Sequence, residues 1–224
     1  MRDKLTNAIE DYLKVIYEIT LEDTTATTNQ IAERMGVNPA SVTGMLKRLA
    51  TNQPPLLKYQ KHHGAVLTFE GRQVALEIIR YHRLLELYLH KELGFSWDQV
   101  HDEADRLEHV ISERLEETIS LILGDPVIDP HGEPIPSREF HLPDEPNQTR
   151  LSDLRPGDNA VIKRVLDTDS PMLRYLASIG LTPGKQILIL DHSQYDGNLR
   201  LQIQGQPDAQ VLGIRITDQI LVSL

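Results

Sequence analysis

Histidines and carboxylates recur at helical spacing between positions 101 and 109, in the stretch His-Asp-Glu-Ala-Asp-Arg-Leu-Glu-His. At about 100° per residue, His101, Asp105, Glu108 and His109 fall within an arc of about 100° on one helix face. Two imidazoles and two carboxylates so placed can hold a divalent cation. A solvated helix surface rich in acids and histidines would give the same spacing. The rest of the chain has to decide between these two interpretations.

Two predicted helices must position these side chains. The first begins at a cap provided by Thr68 and stops at Gly94. The second is predicted to open at a capping box, residues 96–99, and to continue to Gly124, so that it contains the whole stretch.

The first of these helices adds His82 and Glu86, which lie one helical turn apart on one face. A short connection makes the two helices antiparallel or steeply crossed, which would bring this pair towards His101. The wide apolar surface that remains on both helices favours coverage by a second copy of the chain. We therefore expect a homodimer.

The first third of the chain predicts a winged helix-turn-helix. After an amphipathic first helix, two short helices are separated by Gly36, and Asn38 with Pro39 begins the second. Residues 56–61 and 65–68 can pair as a hairpin, the wing. A helix pair and hairpin used only for packing is the alternative. The candidate DNA contacts lie at the helix starts, on the exposed face of the second helix and on the wing: Thr27, Asn38, Pro39, Ala40, Ser41, Thr43, Lys47, Lys58 and Lys61.

The charge distribution agrees with a DNA-binding end. Residues 1–75 carry 9 Lys and Arg against 8 Asp and Glu, a net charge of +1, whereas the remainder carries 14 against 25, a net of −11. Cysteine is absent, which excludes disulfides and thiolate metal sites and fits a reducing cytoplasm. The start lacks the apolar core of a signal peptide, and no run is apolar enough to span a bilayer. We expect a cytoplasmic protein with no membrane partner.

A β-rich part follows a change in composition. Residues 125–150 contain six prolines and few large apolar residues, which predicts a linker without a core of its own. Short strands are predicted at 160–166, 186–190, 199–203 and 210–216, with a helical turn or two at 173–179, so a small SH3-like barrel fits best.

The expected fold class is mainly α with a small β part, in three domains. Residues 1–75 form the DNA-binding domain, 76–145 the helical metal-binding and dimerisation domain, with the linker at 125–150, and 151–224 the SH3-like domain.

The order of these motifs resembles the diphtheria toxin repressor family of metal-dependent regulators. The resemblance covers essentially the whole chain, and its most specific parts are the stretch from 101 to 109, Tyr81-His-Arg-Leu-Leu-Glu86 and Asp129-Pro-His-Gly-Glu-Pro-Ile-Pro136. The third domain is similar to the family's SH3-like domain, which is related to iron-transport accessory domains. The resemblance implies a metal-dependent transcriptional regulator that binds a pseudo-palindromic operator in double-stranded DNA as a dimer.

The family's two metal positions can be transferred to this sequence residue by residue. The resemblance implies a primary site formed by Asp11, Asp105, Glu108 and His109. It implies an ancillary site formed by His82, Glu86 and His101, completed from the third domain. Asp169 is the best match for that last ligand, and Asp167 is the competing choice.

The departures from the iron-responsive members indicate the metal. Those members carry methionine and cysteine where this chain has Asp11 and Asp105, and the manganese-responsive branch, the manganese transport regulators, carries carboxylates there. Oxygen-rich sites suit manganese, so Mn²⁺ is the expected ion, with Fe²⁺ as the alternative. That branch also has a glutamate where Lys14 stands, so the longer layout with two separated sites is expected.

The resulting hypothesis is a manganese-activated repressor of metal-uptake genes and not an enzyme. The cation would link the first helix to the dimerisation helices and so orient the recognition helices. Two other classes of protein stay open. A helical metalloenzyme would also use histidines and carboxylates on facing helices, although no separate general base or nucleophile accompanies them. A winged-helix regulator that senses an organic ligand would bind DNA whether or not a chelator is present.

Overall fold

The computed structural model of the protein describes residues 5–143, 147–166 and 169–224, without the side chain of Glu22. These residues fall into two compact units, Met1–Tyr81 with Pro136–His141, and His82–Ile135 with Leu142–Leu224. Within the described ranges, no helix has both the length and the apolar character needed to cross a membrane.

The first unit is the predicted winged helix-turn-helix. It contains α1 (Asn7–Glu22), α2 (Thr28–Met35), α3 (Pro39–Ala50) and the hairpin of β1 (Leu57–Gln60) and β2 (Gly64–Leu67). The local signals act as expected. Gly36 ends α2 in the left-handed conformation, and the Asn38 side chain accepts a hydrogen bond from the Ala40 amide at the start of α3.

Helix α4 (Phe69–Lys91) follows the wing directly. Thr68 caps it, since its Oγ1 accepts a hydrogen bond from the Gly71 amide. In the second unit, the later part of α4 packs against α5 (Val100–Leu107) and α6 (Glu113–Ile122). The apolar core of this part is formed by Leu84, Leu85, Leu87, Leu89, Val100, Ala104, Ile119 and Ile135.

The single helix predicted from residue 96 to Gly124 is wrong. Helix α5 ends at Leu107, and α6 begins at Glu113 with Ser112 as its N-cap, whose side chain accepts a hydrogen bond from the Leu115 amide. The apolar period continues across this break, which is why the pattern alone did not reveal it. As a consequence, Glu108 lies at the C-terminal end of α5 rather than in the middle of a longer helix.

The β-rich part of the second unit has the predicted SH3-like character. Its strands are β3 (Thr149–Arg150), β4 (Asn159–Val165), β5 (Gln186–His192), β6 (Leu199–Ile203), β7 (Gln210–Leu212) and β8 (Ile220–Ser223), in the order β3-β8-β4-β5-β6-β7. The paired strands run antiparallel. Helix α7 (Ser170–Ser178) covers the predicted helical turn.

Two details of this part differ from the prediction. The strand expected at 210–216 ends at Leu212, because Gly213 begins the short helix α8 (Ile214–Thr217). The apolar core of the strands also includes Trp97, which precedes α5 in the helical part.

Residues 129–135 of the proline-rich segment are packed, whereas a linker would be exposed. Asp129, His131 and Ile135 are buried. Arg83 on α4 donates hydrogen bonds to the Pro134 carbonyl and to Glu133, at 2.9 Å for the carboxylate. Because these partners are about 50 residues away along the chain, the local composition did not reveal them.

Candidate metal centre

His82 is the centre of a cluster of imidazoles and carboxylates in which His82, Glu86 and Glu108 are buried, His101 is half-buried and Asp105 is exposed. The Nε2 of His82 lies 3.0 Å from Glu86 Oε1 and 3.1 Å from His101 Nδ1. Its Nδ1 lies 2.5 Å from Glu108 Oε2 and 3.2 Å from Asp105 Oδ1. As an imidazolium, His82 donates one N–H to Glu86 and the other to Glu108. We call these five residues the His82 cluster.

The two sets of ligands that the resemblance keeps apart adjoin in this cluster. Glu108, from the primary set, contacts His82, from the ancillary set, and its other oxygen lies 3.5 Å from His109 Nε2. Asp105, also from the primary set, faces two residues of the ancillary set, since its Oδ1 lies 3.2 Å from His82 Nδ1 and its Oδ2 lies 3.7 Å from His101 Nε2. Imidazole and carboxylate groups therefore alternate in a continuous series from His109 to Glu86.

A second group of potential metal ligands, which was not predicted from the sequence, adjoins the His82 cluster at Glu86. The Glu86 carboxylate has its Oε1 near His82 and His101, and its Oε2 3.7 Å from His131 Nδ1. Asp129 lies with these two residues as a third potential ligand. We call Glu86, Asp129 and His131 the His131 cluster. The Asp-Pro-His-Gly motif is the signal in the sequence that points to this group.

The pKa values of Glu86, Asp129 and His131 are shifted because several charged groups lie close together in a buried region. Burial alone raises the pKa of Glu86, but the charge of His82 and hydrogen bonds from the neighbouring histidines bring that pKa well below its usual value. Burial and the adjacent charge of Glu86 raise the pKa of Asp129 to about 7, against the opposing effect of Arg83. Burial lowers the pKa of His131, yet hydrogen bonding to Glu86 and the two nearby carboxylates raise it overall.

The remaining predicted ligands are Asp169, Asp167 and Asp11. Asp169 is the N-cap of α7, where its Oδ2 accepts a hydrogen bond from the Met172 amide at 3.2 Å, and it joins none of the potential metal groups in the described part of the chain. Asp167 lies outside the described residues. Asp11 lies on α1 in the first unit and is half-buried.

The donors of both clusters fit a first-row divalent ion. Two ligands of one ion lie about 3–4 Å apart when each bond is about 2.0–2.2 Å, and the separations of 3.0–3.7 Å between Glu86 and its histidines fall in that range. The donor atoms are imidazole nitrogens and carboxylate oxygens, and neither cluster, as defined, includes a sulfur-containing side chain. This chemistry suits manganese, iron and zinc.

The candidate DNA-binding surface lies on the first unit. Thr43 is half-buried, and the other DNA contacts proposed from the sequence are exposed. Some of them also stabilise the motif: Thr27 forms a capping box with Gln30. The hydroxyl of Thr43 donates to the Pro39 carbonyl at 3.1 Å. Substitutions at these positions therefore change helix stability as well as any contact with DNA.

Models of known protein families match almost the whole chain. Residues 4–65 match the N-terminal DNA-binding domain of iron-dependent repressors, and residues 68–137 match the metal-binding and dimerisation domain of the same proteins. Residues 149–224 match the FeoA domain.

Characterised proteins and solved structures that are similar to this chain are also metal-dependent repressors. The iron-dependent repressor IdeR of Mycobacterium tuberculosis is 32% identical over 198 residues, covering 84% of this chain and 85% of its own. The diphtheria toxin repressor of Corynebacterium glutamicum is 32% identical over 200 residues, covering 85% and 86%. A manganese-dependent transcriptional repressor in complex with manganese has a TM-score of 0.86 at 38% identity, covering 96% of this chain and 100% of that one. The apo form of the manganese-activated repressor ScaR has a TM-score of 0.78 at 32% identity, covering 95% and 99%.

Proposed function

The chain belongs to the diphtheria toxin repressor family of metal-dependent transcriptional repressors, and from this premise we propose that manganese is the ion that activates it. It is a DNA-binding protein and not an enzyme. The observation that carries the proposal is the largely buried series of imidazoles and carboxylates around His82 and His131, whose members carry no sulfur. A bound divalent cation supplies the positive charge that such a concentration of carboxylates requires.

The choice of manganese over iron depends on the donor atoms. Asp105 occupies the position where the iron-responsive members carry a cysteine, and it faces His82 and His101. Hard oxygen donors favour manganese relative to sites that contain sulfur. The similarity to a manganese-dependent repressor supports this choice, and the similarity to iron-dependent IdeR makes Fe²⁺ the competing ion.

We further propose that Asp11 completes the site of Glu108 and His109. Asp11 belongs to the DNA-binding unit, so an ion held jointly by these residues would join α1 to the metal-binding helices. The joined form is the one that would present both recognition helices of a dimer to a pseudo-palindromic operator in the cytoplasm. The family resemblance and the place of Asp11 on α1 support this part.

The dimer is proposed to form through an apolar surface of the second unit. The connection between α5 and α6, and α6 itself, expose large apolar side chains: Val110, Leu115, Leu121 and Ile122. Burial of such a surface by a second copy would contribute about 25 cal/mol per Å² of apolar area. A C2 dimer matches an operator with two half-sites.

Metal-dependent operator binding tests the proposed function. DNA upstream of the chain's own gene and of candidate metal-transporter genes is titrated with protein in manganese, ferrous iron, zinc or a chelator, at one fixed salt concentration. We expect tight binding with manganese and at least about 10-fold weaker binding with chelator. Equal binding in chelator and in every metal would contradict a metal-dependent repressor, and a preference for ferrous iron would contradict only the choice of ion.

Replacing Asp11 with asparagine is expected to weaken manganese-dependent operator binding by about 10-fold or more, because one anionic ligand is lost. Binding in chelator should not change. Fluorescence anisotropy of a labelled operator measures both, and Asn7→Ala, at an exposed position of α1, is the control. If Asp11→Asn behaves like the parent chain, Asp11 is not a ligand.

The wing is expected to contribute phosphate contacts. Lys58 and Lys61 are exposed on and next to β1, so Lys58→Ala and Lys61→Ala should each reduce the slope of log K against log salt by about 0.9. Each variant should weaken binding to all sequences alike, because phosphates carry no base information. Lys185→Ala, at an exposed position of the β-rich part, is the control. Unchanged slopes in both wing variants would exclude the wing from the interface.

A further inference from the structure

The loop that carries His131 lies directly against the β-rich part. The Val165 amide at the end of β4 donates a hydrogen bond to the His131 carbonyl at 2.9 Å. A Cβ atom added to Gly132 would lie 1.9 Å from the Lys163 carbonyl oxygen, and Gly132 has a φ of +87°. Only glycine fits this approach, so the backbone of the loop and strand β4 are packed without an intervening side chain.

Trp97 holds the same loop from another side. Its indole ring stacks on the His131 ring, with the centroids 5.4 Å apart and the planes 26° apart. Its Nε1–H donates to the Pro130 carbonyl at 3.1 Å. Trp97 is also buried in the apolar core of the strands, so one side chain belongs both to the surroundings of His131 and to that core.

These contacts determine which nitrogen of His131 is available for a ligand. His131 Nε2 lies 3.1 Å from the Trp97 carbonyl oxygen, which can only accept, so Nε2 carries the proton. In the neutral ring, the lone pair is then on Nδ1, which lies 3.7 Å from Glu86 Oε2. A histidine ligand oriented by a hydrogen bond from its other nitrogen to a backbone carbonyl is the usual arrangement in metal sites.

We infer that Trp97 is a positioning residue: it orients His131 towards Glu86 and couples cation binding at the His131 cluster to the packing of the β-rich part. The inference rests on the proposed function, because it takes the cation to be the one that the repressor senses. Coupling of this kind is reciprocal, so a cation that orders the loop stabilises the β-rich part, and loosening of that part weakens cation binding.

The unmodified chain tests the inference without any substitution. Trp97 is the single tryptophan of the chain, so intrinsic tryptophan fluorescence reports on the surroundings of Trp97, including its stack on His131. Manganese is expected to change this fluorescence and to slow hydrogen exchange of the Val165 amide by about 10-fold or more. The fluorescence change should be lost in His131→Gln and kept in His63→Gln, which alters an exposed histidine next to the wing strands.

Two variants of Trp97 separate positioning from simple packing. Trp97→Leu should weaken manganese binding at the His131 cluster by about 10-fold, and Trp97→Phe, which keeps an aromatic ring for the stack, should restore most of it. Binding is measured from the free manganese signal in electron paramagnetic resonance. Hydrogen exchange of the strands verifies that each variant is folded.

The outcomes distinguish this inference from the proposed function. If manganese binds and promotes operator binding while Trp97 fluorescence and Val165 exchange are unchanged, the coupling is absent and the repressor function stands. Equal manganese affinity in the parent chain and Trp97→Leu would also overturn the positioning role. If manganese does not bind the chain at all, the proposed function fails first.

Discussion

Replacing Glu108 with glutamine should reduce manganese-dependent operator binding by about 100-fold or more. Glu108 is 1% exposed, and its two oxygens face His82 at 2.5 Å and His109 at 3.5 Å. Glutamine keeps the volume but removes the negative charge and one potential ligand atom. Because substitution of groups that only support metal ligands costs 10–100-fold, loss of a ligand itself should lie at or beyond the upper end of that range.

The substitution is designed to leave the fold intact. His82 keeps its contacts with Glu86 and Asp105, so it is not left as an unpaired buried charge. Glu103→Gln is the matched control on the same helix, because Glu103 pairs with the exposed Arg106 at 3.2 Å, a surface pair that contributes about 0–1 kcal/mol. Operator binding is measured by anisotropy, and circular dichroism verifies folding. Full manganese-dependent binding by Glu108→Gln would show that this buried carboxylate is not part of the activating site.

The parts of the fold that could be predicted from the sequence depend on local signals. The turn at Gly36 and the caps at Asn38 and Thr68 are each fixed by neighbours within four residues, and each is present in the structure. The break between α5 and α6 also has a local signal, the cap at Ser112, but the apolar period runs through it and favours one helix. Because the Ser112 cap and the apolar period predict different structures here, the choice between one helix and two depends on tertiary packing.

Only the part of the candidate site that lies on helices could be predicted from the sequence. His82, Glu86 and His101 come together because their helices pack through a shared apolar core, which the helical period predicts. His131 and Asp129 were missed because they lie in a proline-rich segment that has the composition of a linker. Residues 129–135 of that segment are packed through hydrogen bonds with Arg83 and with β4, and these bonds connect residues more than 30 positions apart.

Two helical glycines of the first unit should respond to alanine in opposite directions. At Gly71, a Cβ would lie 1.9 Å from the Leu56 carbonyl oxygen, a backbone atom that also accepts a hydrogen bond from the Thr68 amide. Relief of this clash has to move the junction between α3, the wing and α4, since the Leu56 amide donates in turn to the Leu49 carbonyl of α3. Overpacking costs about 1–3 kcal/mol or more. We expect Gly71→Ala to lower the free energy of unfolding by about 2 kcal/mol, although alanine is the better helix former.

Gly44 is the matched control, because an added Cβ there meets no atom within 4 Å beyond the nearby backbone of its own helix. Alanine should therefore raise the free energy of unfolding of this unit by about 0.5–1 kcal/mol through helix propensity alone. Urea unfolding followed by far-ultraviolet circular dichroism, with hydrogen exchange of α3, measures both changes. Because both substitutions add the same methyl group within a helix, a difference in sign can come only from the surroundings. If Gly71→Ala were as stabilising as Gly44→Ala, the close approach of α4 to the Leu56 carbonyl would be wrong, and so would the proposed junction between α3, the wing and α4.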